Sequence, residues 1–475
     1  MKLLGVIKRS ETPRRGYRWY GVIVAELEKL GKLNLLMSGT IAQWLFPGDN
    51  IMVELLDEPK VVEEIKLLDF NDYRLWRAWK GEWVEIWPPF REETSLKKKS
   101  ILTGEQLYEY RVVAREAVSE ADFREIVNLE QYHYASRKEI VAIWRCPVCG
   151  KFFEANLPPR CPEDGEEARL QEIKGSLPSS RFLVVELVGG KPYEPRMLAY
   201  VRVDTPIPLM SRRVKVDGEF RKEKMIREKV FKEDWFHPTF WPEAYEKRDE
   251  LVRRYRELAA LYGKKVARAM LGEEVWRTSL MNANTAAARI ARVVVHPDYR
   301  GDGLGVLAVK MALKWIETRR IPEMRRRKHV VETIAQMARY NPFFEIAGFK
   351  YVWETWSGRP VLVYPLTEEA KKMLERFLKE DEHAKLHGGV LYKSRYGLVD
   401  ILSGPIVFEK VSKSYSSLLD VSGLKPEIQD VLRAFGVEKR LVEKYVLKDV
   451  DLSLIHISEP TRPRLISYAV FCLKK

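Results

Sequence analysis

Over the first part of the chain, apolar residues fall in short runs separated by turn residues. Leu3 to Lys8, Tyr20 to Glu26, Leu33 to Met37 and Ile51 to Leu56 read as strands, the last entered through Pro47-Gly48-Asp49. That spacing predicts a small β-barrel over residues 1–67. Trp76, Trp79, Trp83 and Trp87 follow, interleaved with Arg74, Arg77 and Lys80, and we read 68–104 as a linker or packing segment. Aromatics among cations can stack bases, but this spacing more often marks packing between domains. From Ser119 the pattern turns helical as far as Tyr134, with Ser119 as N-cap and Phe123, Ile126, Val127 and Leu129 on the apolar side. Residues 181–187 and 197–204 are apolar enough for a central hairpin. An insertion over 210–282 reads as helical and charge-rich, with 17 basic and 13 acidic side chains in 211–276, too mixed for a phosphate track. Its aromatic knot, Trp235 to Trp241, fits either a lid or a folded-over anchor.

The pattern is sharpest at residues 292–305, Arg-Val-Val-Val-His-Pro-Asp-Tyr-Arg-Gly-Asp-Gly-Leu-Gly, followed by a helical run from Val306 to Arg319. An apolar strand ends at Pro297, and Gly301, Gly303 and Gly305 open a helix. Such a turn lets successive backbone N–H groups converge on an anion at the positive end of the helix dipole. Together with Asn341-Pro-Phe-Phe-Glu-Ile-Ala-Gly348-Phe349 further on, this stretch resembles the GNAT family of N-acetyltransferases. The resemblance implies an α/β (α+β) fold with a GNAT-type mixed sheet, flanking helices and insertions over 105–375, and acetyl-CoA as cofactor. It implies that Val293, Val294 and Val295 line the pantetheine while Arg300, Gly301, Asp302, Gly303, Leu304, Gly305 and Val306 cradle the pyrophosphate. It also implies that His329 to Ile334 is a strand splayed from its neighbour. The family's usual acid is a Tyr four residues before the Gly-Phe corner, where this chain has Phe344. Tyr340, one helical turn earlier, and Glu332 are therefore named as candidate acid and base. Arg325-Arg326-Arg327-Lys328 complements the helix dipole and is also the candidate for the 3′-phosphate of coenzyme A.

Cys146-Pro-Val-Cys149-Gly and Arg160-Cys161-Pro-Glu-Asp164-Gly resemble the two knuckles of a zinc ribbon, over 144–166. Asp164 stands where the fourth Cys is expected, with His133 as the other candidate ligand. Residues 376–404 read as a linker. Beyond it, Ile406 to Tyr415 resembles the opening strand of an ABC-type ATPase, with Tyr415 as the adenine-stacking aromatic, and Tyr445 to Asp451 resembles the next strand. Residues 405–451 are then the start of a domain whose ATP-binding loop is absent here, since no G-x-x-x-x-G-K-[ST] occurs. Residues 452–475 resemble translated sequencing-library adapter. As a whole the chain resembles an archaeal type of fusion between the two families, and ABC-type ATPases imply a homodimer.

At 475 residues the chain is too long for one core. Gln is scarce beside 82 Lys+Arg and 68 Asp+Glu, a bias of heat-adapted proteins, so a thermophile source is expected. The net charge of +14 fits that bias and fits an RNA or ribonucleoprotein partner equally. No signal peptide or membrane-length apolar run is present, so a cytoplasmic location is expected. The leading expectation is acyl transfer to an amine. The alternative is a degenerate module that binds acyl-CoA or nucleic acid and regulates the ATPase. Sequencing the source DNA through codon 451 should show an ATPase domain continuing, and an in-frame stop there would remove the fusion.

Overall fold

The computed structural model describes residues 2–12, 20–99, 104–133, 142–155, 157–173, 175–176, 179–190, 192, 194–240, 248–339, 341–391, 409–410 and 445–446. The first sheet collects β1 (Lys2–Glu11), β2 (Gly21–Leu27), β3 (Gly31–Met37), β4 (Asn50–Leu55), β5 (Lys60–Val62), β6 (Ile65–Leu68), β7 (Tyr73–Trp79) and β8 (Glu82–Trp87), with the short α1 (Gly39–Ala42) after β3. Their alternation sends Ile23, Ala25, Leu33, Leu35, Ile51 and Val53 into the core. The strand order is β5-β6-β3-β2-β1-β4-β7-β8, with no ladder joining β8 back to β5 among the described residues. Two departures from expectation follow. The sheet is open in its pairing rather than a closed barrel, and the segment read as a linker supplies β7 and β8. The period of two that makes this hairpin is carried by Tyr73, Leu75 and Arg77 on β7 and by Val84 and Ile86 on β8, which are buried at alternate positions, and not by the Trp residues, which fall three and four apart.

The second sheet takes β9 (Arg91–Lys99), β10 (Gln106–Glu116), β14 (Arg181–Leu187), β15 (Met197–Asp204), β18 (Ala287–Val295), β19 (Val330–Ile334), β20 (Lys350–Glu354) and β21 (Pro360–Pro365), in the order β20-β21-β19-β18-β15-β14-β10-β9. Only β18 and β19 are parallel neighbours. Between β10 and β14 come α2 (Glu120–Glu130) and a three-stranded sheet of β11 (Ala142–Arg145), β12 (Phe152–Glu154) and β13 (Arg169–Ile173). Ser119 caps α2 as expected, in a reciprocal capping box with Asp122. Burial alone would raise the Asp122 carboxyl, but its bonds to Arg115 outweigh burial and hold it well below the usual range.

The insertion at 210–282 opens on a hairpin, β16 (Ser211–Val216) and β17 (Glu219–Lys224), instead of a helix. Then follow α3 (Ile226–Val230), α4 (Arg248–Tyr262) and α5 (Lys264–Asn282). Trp235, Phe236 and Phe240 of the aromatic knot are buried, which selects the anchor over the lid. The remaining helices are α6 (Leu304–Arg319), α7 (Phe343–Ile346) and α8 (Glu368–Glu380). After α8 the chain folds back: Leu391 is buried, its N–H donates to Glu345 at 2.9 Å, and His387 packs on Tyr351 at 4.3 Å. Residues 381–391 are thus packed structure where a linker was expected. Glu409–Lys410 and Tyr445–Val446 form one further antiparallel pair.

The sheets share a core. Ile86, Trp87 and Phe90 pack in one apolar cluster with Trp315, Ile316 and Ile321. Arg319 reaches Glu85 at 3.0 Å, and Lys314 reaches Glu92 at 2.6 Å. Arg325 lies over the Phe46 ring at 4.8 Å, where burial, with Arg77 beside it, pulls its pKa down to about 10. Trp315→Ala should therefore cost about 3–5 kcal/mol. Denaturant unfolding should show a single, earlier transition, whereas two transitions with one unmoved would mean that the sheets are independent.

Candidate functional site

The loop after β18 joins two left-handed glycines to a helix start that no side chain caps. Gly301 and Gly303 adopt φ values of 83° and 93°, the left-handed region that glycine enters freely. Added Cβ atoms there would meet nothing closer than Leu96 at 3.9 Å, so the space in front of the loop is open. No side chain caps the N-terminus of α6 and no acidic residue lies in its first turn. The amides of its first turn precede the first internal bond, from Leu307 N–H to the Gly303 carbonyl at 3.0 Å. A 16-residue helix places its dipole behind these amides. The arrangement suits a phosphate.

Individual loop residues divide the work. Asp302 is buried and accepts from the hydroxyls of Tyr108 at 2.7 Å and Tyr110 at 2.5 Å. Burial, then the Asp302 charge, pushes the Tyr110 hydroxyl far above its ordinary pKa, so it stays a donor. Asp302 is therefore an anchor that points away from an incoming anion. Arg300 donates through Nε to the Val295 carbonyl at 3.1 Å and through its terminal nitrogen to the Tyr132 carbonyl at 3.0 Å. Leu304 is buried, Val306 is half-buried, and Gly305 sits against Phe343 and Val295. Sequence reasoning missed Tyr108 and Tyr110, whose one signal was their Tyr-x-Tyr alternation on β10. It also missed Lys98, whose Nζ is 3.3 Å from the Gly301 carbonyl.

Beside the loop the sheet opens. β18 and β19 pair only at Ala287/Val330, Ala288/Val331 and Arg289/Glu332, while β18 continues along β15 to Val295. β19 instead continues along β21 to Ile334. The two parallel strands therefore part, exposing backbone groups between them. Val293 and Val295 face α6, while Val294 faces α2. Below this cleft Glu332 is buried with Arg227, at 3.1 Å and 3.2 Å from its two carboxylate oxygens. The end of α2 reaches the same strands: Glu130 pairs with Arg292, and burial, with Arg202 and Arg300 nearby, lowers His133 to about 4. At the Gly-Phe corner Gly348 has φ 107°, and a Cβ there would strike Tyr364 at 2.9 Å. Phe344 packs on Phe349 at 5.1 Å and offers no proton. Tyr340 and Tyr415 lie outside the described residues.

The basic run 325–328, expected near the 3′-phosphate of coenzyme A, stands well apart from the glycine loop. It lies past the far end of α6, about 24 Å away at 1.5 Å per residue. Arg325 donates to the Met281 carbonyl, Arg326 holds Asp234, and Lys328 is buried on Glu323.

A second constellation stands on the small sheet. Cys146, Cys149, Cys161 and Asp164 bring four ligand atoms within 4.8 Å of one another, and His133 is not among them. The two turns match. The Cys146 N–H donates to the Lys151 carbonyl and that of Cys161 to the Glu166 carbonyl, both at 2.8 Å. Gly150 and Gly165 close the turns at φ 74° and 73°. Asp164 thus occupies the place of a second knuckle's second thiol. Three sulfurs and a carboxylate are a donor set for a borderline-soft divalent ion.

Residues 223–340, which include the cradle, α6 and both parting strands, match the family model described as acetyltransferase (GNAT) family. No curated protein matches the chain. Among solved structures, the protein named arylalkylamine N-acetyltransferase 7 from the yellow fever mosquito Aedes aegypti aligns over 60% of this chain and 100% of its own, at 10% identity and a TM-score of 0.25. Over residues 223–340 the chain is therefore similar to GNAT acetyltransferases.

Proposed function

We propose that the chain transfers an acetyl group from acetyl-CoA to an amine. The observation that carries this reading is the parting of β18 from β19 beside an uncapped helix N-terminus whose glycine loop faces open space. In it the pyrophosphate takes the amides of residues 301–306, and the pantetheine lies along Val293 to Val295, on the edge of β18 that β19 has left. The thioester is then held for attack, which supplies much of the rate through orientation. The incoming amine must lose a proton and the thiolate must gain one. Glu332, both of whose oxygens face Arg227, is better placed to hold α3 on the sheet than to take that proton. Tyr340 is the proposed acid.

The reading extends to zinc at Cys146, Cys149, Cys161 and Asp164, supported by the two matched turns. It extends also to an ABC-type ATPase beginning within 405–451, with ATP as its cofactor and a homodimer as its working form. The support there is the resemblance of the two strand segments and their antiparallel pairing. No helix among the described residues is long and apolar enough to cross a membrane.

Acetyl-CoA titration should be made on the whole chain, because the shared core makes an excised domain a different molecule. Gly303→Trp should weaken binding about 100-fold or more, the loss of two charge-assisted bonds of about 1.5–3 kcal/mol each. Unchanged binding by a folded variant would remove the cradle. Tyr340→Phe should lower kcat about 100-fold with KM unchanged, and an unchanged kcat would leave positioning as the whole mechanism. For the metal, purified chain should release about one zinc per chain to a chromogenic chelator. Asp164→Ala should lose it and Asp164→Cys should hold it more tightly; retention by the Ala variant would exclude Asp164 as a ligand.

A further inference from the structure

The hairpin β16–β17 and the turn between β20 and β21 form one surface that neither acetyl-CoA nor the metal uses. Arg213 joins them. Its guanidinium lies over the Phe220 ring at 4.6 Å and is held to Glu354 through Nε at 3.0 Å. It also packs so closely on Gly358 that an added Cβ would sit 2.7 Å from it. One face of Phe220 is thus covered by Arg213, while the residue stays 55% exposed. Trp356, two residues from Gly358, is 47% exposed. Around them stand Lys215, Lys222, Lys224 and Arg359, all exposed and with no ion pair among the described residues. Arg339 braces the turn from below by donating to Glu354 and to the Gly358 carbonyl.

Two open aromatic rings, one backed by a guanidinium, and a fringe of uncommitted cations make a stacking platform beside a phosphate track. We propose that this surface binds single-stranded nucleic acid. A duplex would hide the base faces that Phe220 and Trp356 can meet, and an acidic peptide would have no use for them. The Trp-rich hairpin of the first sheet is a weaker candidate. There Lys2 and Arg74 lie over the Trp76 ring, and Arg74 is paired with Glu85 at 2.8 Å, so ring and cation satisfy each other.

The place of the surface matters. Ile334 pairs with Val361, and the Ala335 N–H donates to the Pro360 carbonyl at 3.0 Å. The 355–359 turn therefore lies at the end of β19 that has already left β18. A strand held there would present a base amine toward the mouth of the cleft, a step that rests on the acyl-transfer reading, whereas the binding itself does not.

The test is fluorescence anisotropy of the whole chain with labelled oligouridylate and oligodeoxythymidylate at low salt, with polyglutamate as competitor. Binding of either oligonucleotide should weaken about tenfold in Phe220→Ala and in Trp356→Ala, and Trp83→Ala should leave it unchanged. Lys222→Glu should flatten the dependence of log K on log salt by about 0.7 for each phosphate that the side chain no longer neutralises. Because these side chains are exposed, the variants should keep the parent's melting temperature. Absent binding, weakening in Trp83→Ala instead, or displacement by polyglutamate at equal charge would each overturn the proposal.

Discussion

The geometry of the cleft depends on one buried carboxylate. Asp302 sits in the middle of the glycine loop and is held by two tyrosine hydroxyls from β10. A loop with two left-handed glycines has little conformational preference of its own, and ordering it carries a large entropic cost. The Asp302 bonds select one arrangement, with the side chain buried against β10. Arg300 secures the same loop to the end of β18 and to the end of α2. The conformation of the loop is therefore set by strands and a helix far away in sequence.

Behind it, α6 belongs to both sheets. Trp315 and Ile316 pack in a core that includes Trp87 and Phe90, and the charged edge of the helix is tied to Glu85 and Glu92. The first sheet thus reads as a buttress for the site. The small sheet with the cysteine turns does the same from the opposite face, where Trp144 and Leu170 pack with Phe123, Ile126 and Val127 of α2. The end of that helix carries Glu130 to Arg292 and the Tyr132 carbonyl to Arg300. Loss of order around the cysteines would be felt at β18 through this route.

Much of this was legible in the chain because its signals are local. Three glycines at alternate positions, an apolar run ended by Pro297, Ser119 three residues before Asp122, and Cys-Pro-x-x-Gly turns are each short-range chemistry. They placed the glycine loop ahead of α6, the α2 cap and the cysteine cluster where the structure has them. The parting of β18 and β19 was expected through family resemblance, and its register came only with the pairing.

Tertiary structure alone decided which charged groups are spoken for. Glu332 has the chemistry of a base, but Arg227, from an inserted helix, lies against it. The run from Arg325 to Lys328 has the charge of a phosphate track, but Arg325, Arg326 and Lys328 are each committed to a partner elsewhere in the fold. A side chain's charge is written in sequence, but its partner is set by contacts between segments that are often far apart along the chain. The same holds for 68–99, where a Trp-rich stretch became strands, and for 381–391, where a polar stretch became packed turns, because neighbouring elements offered apolar surface. Composition and period specify what a segment can do; burial and pairing across the fold select which of those things it does.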